Sequence, residues 1–208
     1  MSYLYYENVR QKLVFISSDE LKYKTVNKTE YNYIDLDLKE YSKEVAPLIV
    51  GLVSEQSHER KDARKKLVNM GKDIVPQIHK TLFSKNKLLK WEAARTIKEI
   101  GDASSIPVFI QLLEDPESDI RWIAAEGLIN AGRESIVPLL KEIMAKGDSH
   151  YIRNGVHHVF RELFDDVEKK LFHQLQHALQ HYTESSEFAQ VEAAKAIGYF
   201  SRLMDVPT

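Results

Sequence analysis

The sequence predicts an all-α protein built as a stack of antiparallel helix pairs, an α-solenoid. Three observations predict it. Three stretches share one pattern: RKDARKKLVNMG at 60–71, KWEAARTIKEIG at 90–101 and RWIAAEGLINAG at 121–132. Their closing glycines, Gly71, Gly101 and Gly132, lie 30 and 31 residues apart. The prolines that follow, Pro76, Pro107 and Pro138, are spaced 31 and 31. A fixed period of this length marks a unit that cannot bury its own apolar face and does so by stacking on its neighbours.

Each unit reads as a helix A, a short turn and a helix B. Helix A opens on a base (Arg60, Lys90, Arg121) and carries an alanine column (Ala63, Ala93, Ala124). Leu67, Ile97 and Leu128 share a further column and, with Phe160, are expected to line the interior. The paired alanines, and Gly127 in the third copy, let neighbouring helices approach closely. The glycine after helix A supplies a left-handed stop. Proline in the first turn of helix B removes an N–H that has no acceptor there. Asp73, Ser105 and Ser135 stand where a helix N-cap is expected. Polar loops such as EDPES and KGDS lead onward.

The pattern continues more weakly on both sides. YIRNGVHHVFREL repeats the Ile-Arg start, and VEKKLFHQLQHALQHY follows as its helix B. VEAAKAIGYF (191–200) matches WEAARTIKEI and reads as a last, unpaired helix A. Upstream, KEVAPLIVGLVSE carries Pro47 and reads as a helix B without a clear helix A. The repeat region therefore spans 45–208. Its units fall at 45–57 (partial), 58–87, 88–117, 118–149, 150–186 and 187–208 (partial).

Residues 1–44 differ. Seven of the ten tyrosines fall in the first 41 residues, and QKLVFIS and YNYIDLDL have β-branched or alternating character. Ser17 and Glu20 form a Ser-x-x-Glu box that suits a short helix start. The segment reads as a small irregular cap, with a hairpin and a short helix, on the exposed end of the stack. A partner-binding arm is the alternative, because tyrosine suits surfaces that are apolar on one edge and polar on the other.

Composition narrows the function classes. With 43% hydrophobic residues, the chain can bury a sizeable core. The net charge of −2 gives no general bias toward nucleic acid or anionic membrane. The charge is unevenly spread, however. Residues 58–98 hold twelve Lys/Arg against four Asp/Glu, and residues 99–150 hold four against ten. The absence of cysteine excludes disulfides, thiolate nucleophiles and Cys-ligated zinc. No apolar run approaches the roughly 18 residues that span a bilayer, and MSYLYYENVRQK lacks a signal-peptide pattern. A cytoplasmic location is the expectation.

The motifs DPESDIRWIAAEGLINAG and WEAARTIKEIGD resemble the HEAT repeat family, in particular its short phycobilisome-lyase HEAT-like subtype. The resemblance covers about residues 45–200. It implies a right-handed superhelix with helix B on the concave face. It also implies that Arg121 and Arg153 belong to an inter-repeat ladder that pairs with acidic loop residues; Lys90 and Gln190 depart from that column.

Helical phase then selects candidate partner-binding residues on helix B: Lys80, Gln111 and Glu142, again 31 apart, followed by His173, His177 and His181. In that fourth helix B, Leu171, Phe172, Leu175, Ala178, Leu179 and Tyr182 are expected to form the apolar face. His173 and His177 are four residues apart, but His181 is about 12 Å from His173 along a helix, too far to share one ion. The expectation is therefore no metal and no cofactor. His58-Glu59 is a lone His-Glu pair, whereas HEAT-repeat iron hydroxylases use several. Of the adjacent His157 and His158, one is expected to pack and the other to face solvent. Trp91 and Trp122 share a column beside the apolar stripe, suited to a packing ladder or to a binding platform.

The sequence holds no nucleophile elbow, phosphate loop or Rossmann glycine pattern. The expected function is a non-enzymatic protein-binding module, of scaffold, regulatory or immunity type, using the concave helix B face. The tyrosine-rich front and acidic middle suit a basic partner. Two alternatives stand beside it. One is nucleic-acid binding, which the basic segment favours and Glu142 with the acidic segment opposes. The other is a bilin-lyase-like enzyme subunit, which rests on repeat residues alone.

Overall fold

The computed structural model describes residues 3–7, 12–16, 34, 36–181 and 185–204. The chain divides into two compact units, 1–100 and 101–208. The division falls inside the repeat tract, not at the composition shift near residue 44.

The first unit opens with an antiparallel hairpin of β1 (Tyr3–Glu7) and β2 (Lys12–Ile16), with Tyr3 opposite Ile16 and Glu7 opposite Lys12. Thus QKLVFIS supplies a strand, but its partner comes from the extreme N-terminal tyrosines. Residues 31–33 and 35 of YNYIDLDL, and Ser17 with Glu20, lie outside the described residues. Leu38–Glu40 is a 3-10 turn, started by Asp37, whose carboxylate accepts the Lys39 N–H at 3.0 Å. The alternation there is not a strand signal, because burial follows Ile34, Leu38, Tyr41 and Val45, a spacing of three and four.

Helices α1 (Ala46–Gly51), α2 (Ser57–Met70), α3 (Val75–Thr81) and α4 (Lys87–Ile100) complete this unit. α2 packs on α1 and α4, and α3 packs on α4, the order expected of consecutive helix pairs. The second unit holds α5 (Ile106–Leu112), α6 (Ser118–Asn130), α7 (Ile136–Lys146), α8 (His150–Leu163), α9 (Asp166–Leu171), α10 (His173–Gln180) and α11 (Ser186–Met204). α5 packs on α6, and α6 on α8. No helix among the described residues is long and apolar enough to cross a membrane.

The repeat columns behave as the spacing requires. Leu67, Ile97, Leu128 and Phe160 are each fully buried. Gly71, Gly101 and Gly132 have φ of 74°, 69° and 69°, the left-handed region that a side chain disfavours. At Gly127 an added Cβ would lie 2.5 Å from the Phe109 ring, so glycine sets how closely α6 approaches α5. Pro76, Pro107 and Pro138 sit in the first turns of α3, α5 and α7.

The expected N-caps differ. The helix B of each of these three units is entered through a 3-10 turn: Gly71–Ile74, Ala103–Ser105 and Gly132–Ser135. Asp73 lies inside its turn, and Ser105 and Ser135 occupy the cap position without a side-chain capping bond. A capping side chain reaches back from an extended backbone, whereas these caps are already helical. Ser135 instead donates from Oγ to the Gly132 carbonyl at 2.7 Å.

Two departures mark the end of the second unit. The fourth helix B is broken at Phe172 (φ −107°, ψ 28°) into α9 and α10. The break resets helical phase: Phe172, Leu175, Ala178 and Leu179 are buried as expected, but Leu171 is 53% exposed. Tyr182 lies outside the described residues. The last helix extends beyond the matched stretch 191–200 and, with no helix B after it among the described residues, packs on an earlier one. α11 runs antiparallel along α7, with the Ser186 carbonyl and Gln190 beside Gly147 and Phe200 beneath the Arg133 guanidinium. Phe200 joins Phe164 and Phe172 in an aromatic cluster with ring centroids 5.5–5.7 Å apart.

Candidate binding site

The neighbouring helices α6 and α8 leave a shallow cleft of about 320 Å³ between their outer faces. On α6, Ser118, Arg121, Trp122 and Ala125 fall at i, i+3, i+4 and i+7, one helix face. On α8, Tyr151, Asn154 and His158 do the same at i, i+3 and i+7. The floor is small and apolar: Leu113, Ala125 and Gly155. Gly155 is required there, since an added Cβ would lie 2.7 Å from Leu113 Cδ2.

The walls are aromatic and solvent-facing. Trp122 is 58% exposed and Tyr151 43%. The His158 ring lies 4.8 Å from the Trp122 ring, tilted by 31°. His158 Nδ1 accepts from Arg161 at 3.3 Å, which leaves the proton on Nε2, directed at the Glu126 carboxylate 3.4 Å away. The Arg121 guanidinium stacks on Tyr151 at 4.1 Å, while its Nη1 donates to the Asp115 and Pro116 carbonyls at 2.8 and 2.9 Å. These carbonyl bonds correct the ladder expected from resemblance. Arg60 bonds the Ser54 and Glu55 carbonyls at the same offsets, and Arg153 bonds the Ala178 and His181 carbonyls. In the loops the column thus reaches backbone carbonyls, including those of Glu55 and Asp115, while Arg60 also faces the Glu92 carboxylate on α4.

Trp91, in the same column as Trp122, has a different setting. It is half-buried on α4, and the Arg95 guanidinium covers its ring at 4.5 Å. The buried Glu92 beside it receives Arg64 at 2.5 Å and faces Arg60 at 3.4 Å, and Arg64 also bonds Glu99 at 3.0 Å.

The helix B residues are distributed over both units. Lys80, in the first, pairs with Glu40 at 3.0 Å and lies 5.9 Å from the Tyr41 ring centre, so the chain's own N-terminal segment meets it. Such an exposed pair contributes at most about 1 kcal/mol. Gln111 is exposed on α5. Glu142 pairs with Lys146 at 3.1 Å, and Lys146 also reaches Glu114 at 2.6 Å. That hydrogen bond holds the Glu114 carboxyl below its ordinary range, and the two carboxylates raise Lys146.

His173, His177 and His181 are all exposed on or beside α10, with the His177 and His181 rings 4.3 Å apart. Among the described residues no group of three or more His, Cys, Asp or Glu is placed to hold a metal ion. His157 and His158 are both partly buried, so neither is the fully exposed partner that their divergence predicts. Burial pushes His157 below the ordinary imidazole range, and the positive charges of Arg161, His158 and His181 add to it.

Of the cleft residues, sequence reasoning reached Trp122 and the structural Arg121. Tyr151, Asn154 and Gly155 were missed, and His158 was singled out without a binding role. The available signal was their shared helical face, polar and aromatic where a search for apolar stripes does not look.

Residues 72–159, less than half of the chain, match the family model of HEAT repeats, and over that stretch the chain is similar to them. No curated protein and no solved structure matches the chain.

Proposed function

We propose that this protein is a non-enzymatic protein-binding module whose partner docks at the α6–α8 cleft. The carrying observation is Trp122, a large aromatic left 58% exposed beside exposed Tyr151 within a preformed cleft. Exposed tryptophan and tyrosine over a small apolar floor have the composition of an interface hot spot. The similarity to HEAT repeats supports the class, since such repeats generally mediate protein interactions. The period of 30–31 residues further supports the short HEAT-like subtype, and the right-handed superhelix is what that resemblance implies. The helix B row of Lys80, Gln111 and Glu142 is the alternative face, and its end members are engaged by Glu40 and Lys146.

Affinity capture from native lysate tests this, with wild type, Trp122→Ala and the double variant Lys80→Glu, Glu142→Lys as baits of unchanged circular dichroism. The expected outcome is a stoichiometric protein held by wild type and by the double variant but lost by Trp122→Ala. Loss in the double variant alone moves the interface to helix B. Absence of any retained protein overturns the binding-module reading.

A further inference from the structure

We infer that the α6–α8 cleft recognises an arginine side chain presented by a basic segment of its partner, stacked on the open face of Trp122. This rests on the protein-binding reading above and names the partner's chemistry.

The argument begins with two tryptophans in one repeat column. Trp91 has Arg95 four residues on, and that guanidinium covers its ring. Trp122 has Glu126 in the corresponding place. The repeat thus supplies a cation to one ring and a carboxylate to the other. Asp119, Trp122 and Glu126 fall at i, i+3 and i+7, so a carboxylate flanks the ring on each side along one face of α6. Among the described residues, neither Asp119 nor Glu126 forms an ion pair with a lysine or arginine; Glu126 meets only the His158 imidazole.

The cations close by are already engaged. Arg121 is committed to Tyr151 and two carbonyls, and Arg161 bonds Glu162 and His158. An anionic ligand would therefore find no available guanidinium, whereas a cation finds an exposed indole and two carboxylates. Tryptophan is the strongest aromatic partner for a cation. The planar, weakly hydrated guanidinium stacks where an ammonium does not, which favours arginine over lysine. The chain itself shows the geometry twice, in Arg95 on Trp91 and Arg121 on Tyr151. The excess of acidic residues over 99–150 would steer a basic segment toward this unit.

The test uses the full chain carrying Trp91→Phe, which leaves Trp122 as the sole tryptophan. The probes are labelled Gly-Ser peptides with three arginines, three lysines or three glutamates. We expect the arginine peptide to bind by anisotropy and to alter Trp122 emission, the lysine peptide to bind more weakly and the glutamate peptide not at all. Trp122→Ala and Glu126→Arg, the latter copying the Arg95 arrangement, should each weaken arginine-peptide binding by about fivefold or more. Glu187→Arg removes an exposed carboxylate on α11, outside the two helices that form the cleft, and should leave it nearly unchanged. Equal loss in Glu187→Arg and Glu126→Arg, equal binding by Trp122→Ala, or no arginine binding overturns the inference. If the arginine peptide fails while Trp122→Ala still loses a captured protein from lysate, the binding module stands and only the basic chemistry falls.

Discussion

Helices α4 and α6 occupy the same place in their repeats but are built on opposite principles. α4 buries charge: Glu92 is 2% exposed and is held by Arg60 and Arg64 from α2. In α6 the matching position is Ile123, an apolar side chain 6% exposed. Where α4 has Thr96, whose hydroxyl donates to the Glu92 carbonyl, α6 has Gly127 against the Phe109 ring. One copy is held together by a desolvated ion network, the other by close approach of backbones. The difference shows that a repeat fixes where side chains go and leaves their chemistry free. The surface follows suit, covering its own tryptophan in α4 and leaving one open in α6.

The sharpest way to break this comparison is to remove the buried charge. Glu92→Ala leaves Arg64 under-paired inside the unit and should destabilise it by about 3–5 kcal/mol in urea unfolding. The paired change Glu92→Ile with Arg64→Leu, which copies the apolar logic of α6, should recover most of that loss. A double variant no more stable than Glu92→Ala would show that the ion network is not an interchangeable packing solution.

The next effect in size lies in α6. Gly127→Ala drives a methyl into the Phe109 ring and should cost about 1–3 kcal/mol through overpacking. Thr96→Ala in the matching position of α4 should cost about 1 kcal/mol, the usual worth of one hydrogen bond. Equal losses would contradict the close-approach account of α6.

The smallest expected effect concerns the position after the alanine column, where Ala94 and Ala125 give way in α8 to His157. Burial depresses its pKa in the folded state. The unfolded chain takes up a proton at about pH 6.5 while the folded chain resists it, so stability present above that pH is lost as the pH falls. Thermal melts between about pH 7.5 and about pH 5.5 should therefore show a shallower decline for His157→Asn than for wild type.

The helix pairs, their glycine stops and the buried columns were legible because repetition averages out local ambiguity. Leu67, Ile97 and Leu128 occur at one position, and a single misread residue cannot move the register. Features that break the period were not legible. Glu92 reads as solvent-facing in any pattern of charged and apolar residues, and only the arginines one helix away make its burial tolerable. The kink at Phe172 has neither proline nor glycine to announce it. The cleft depends on Gly155 where the preceding copy has Ile123, a single substitution whose meaning lies in the distance to Leu113. The helix B row was read from phase alone, and phase does not show that Glu40 folds back to Lys80.

The packing of α11 along α7 has a kinetic consequence. Stacked pairs form contacts between near neighbours in sequence, and such arrays can fray one repeat at a time from an end. α7 and α11 are separated by the whole of α8, α9 and α10, so their contact closes a loop of roughly forty residues and has to wait for that loop to be drawn in. Once made, it works as a clasp: α8–α10 cannot peel away progressively while α11 stays seated. The terminal part of the second unit should therefore open as one cooperative block, and the cleft wall carried by α8 inherits that all-or-none protection.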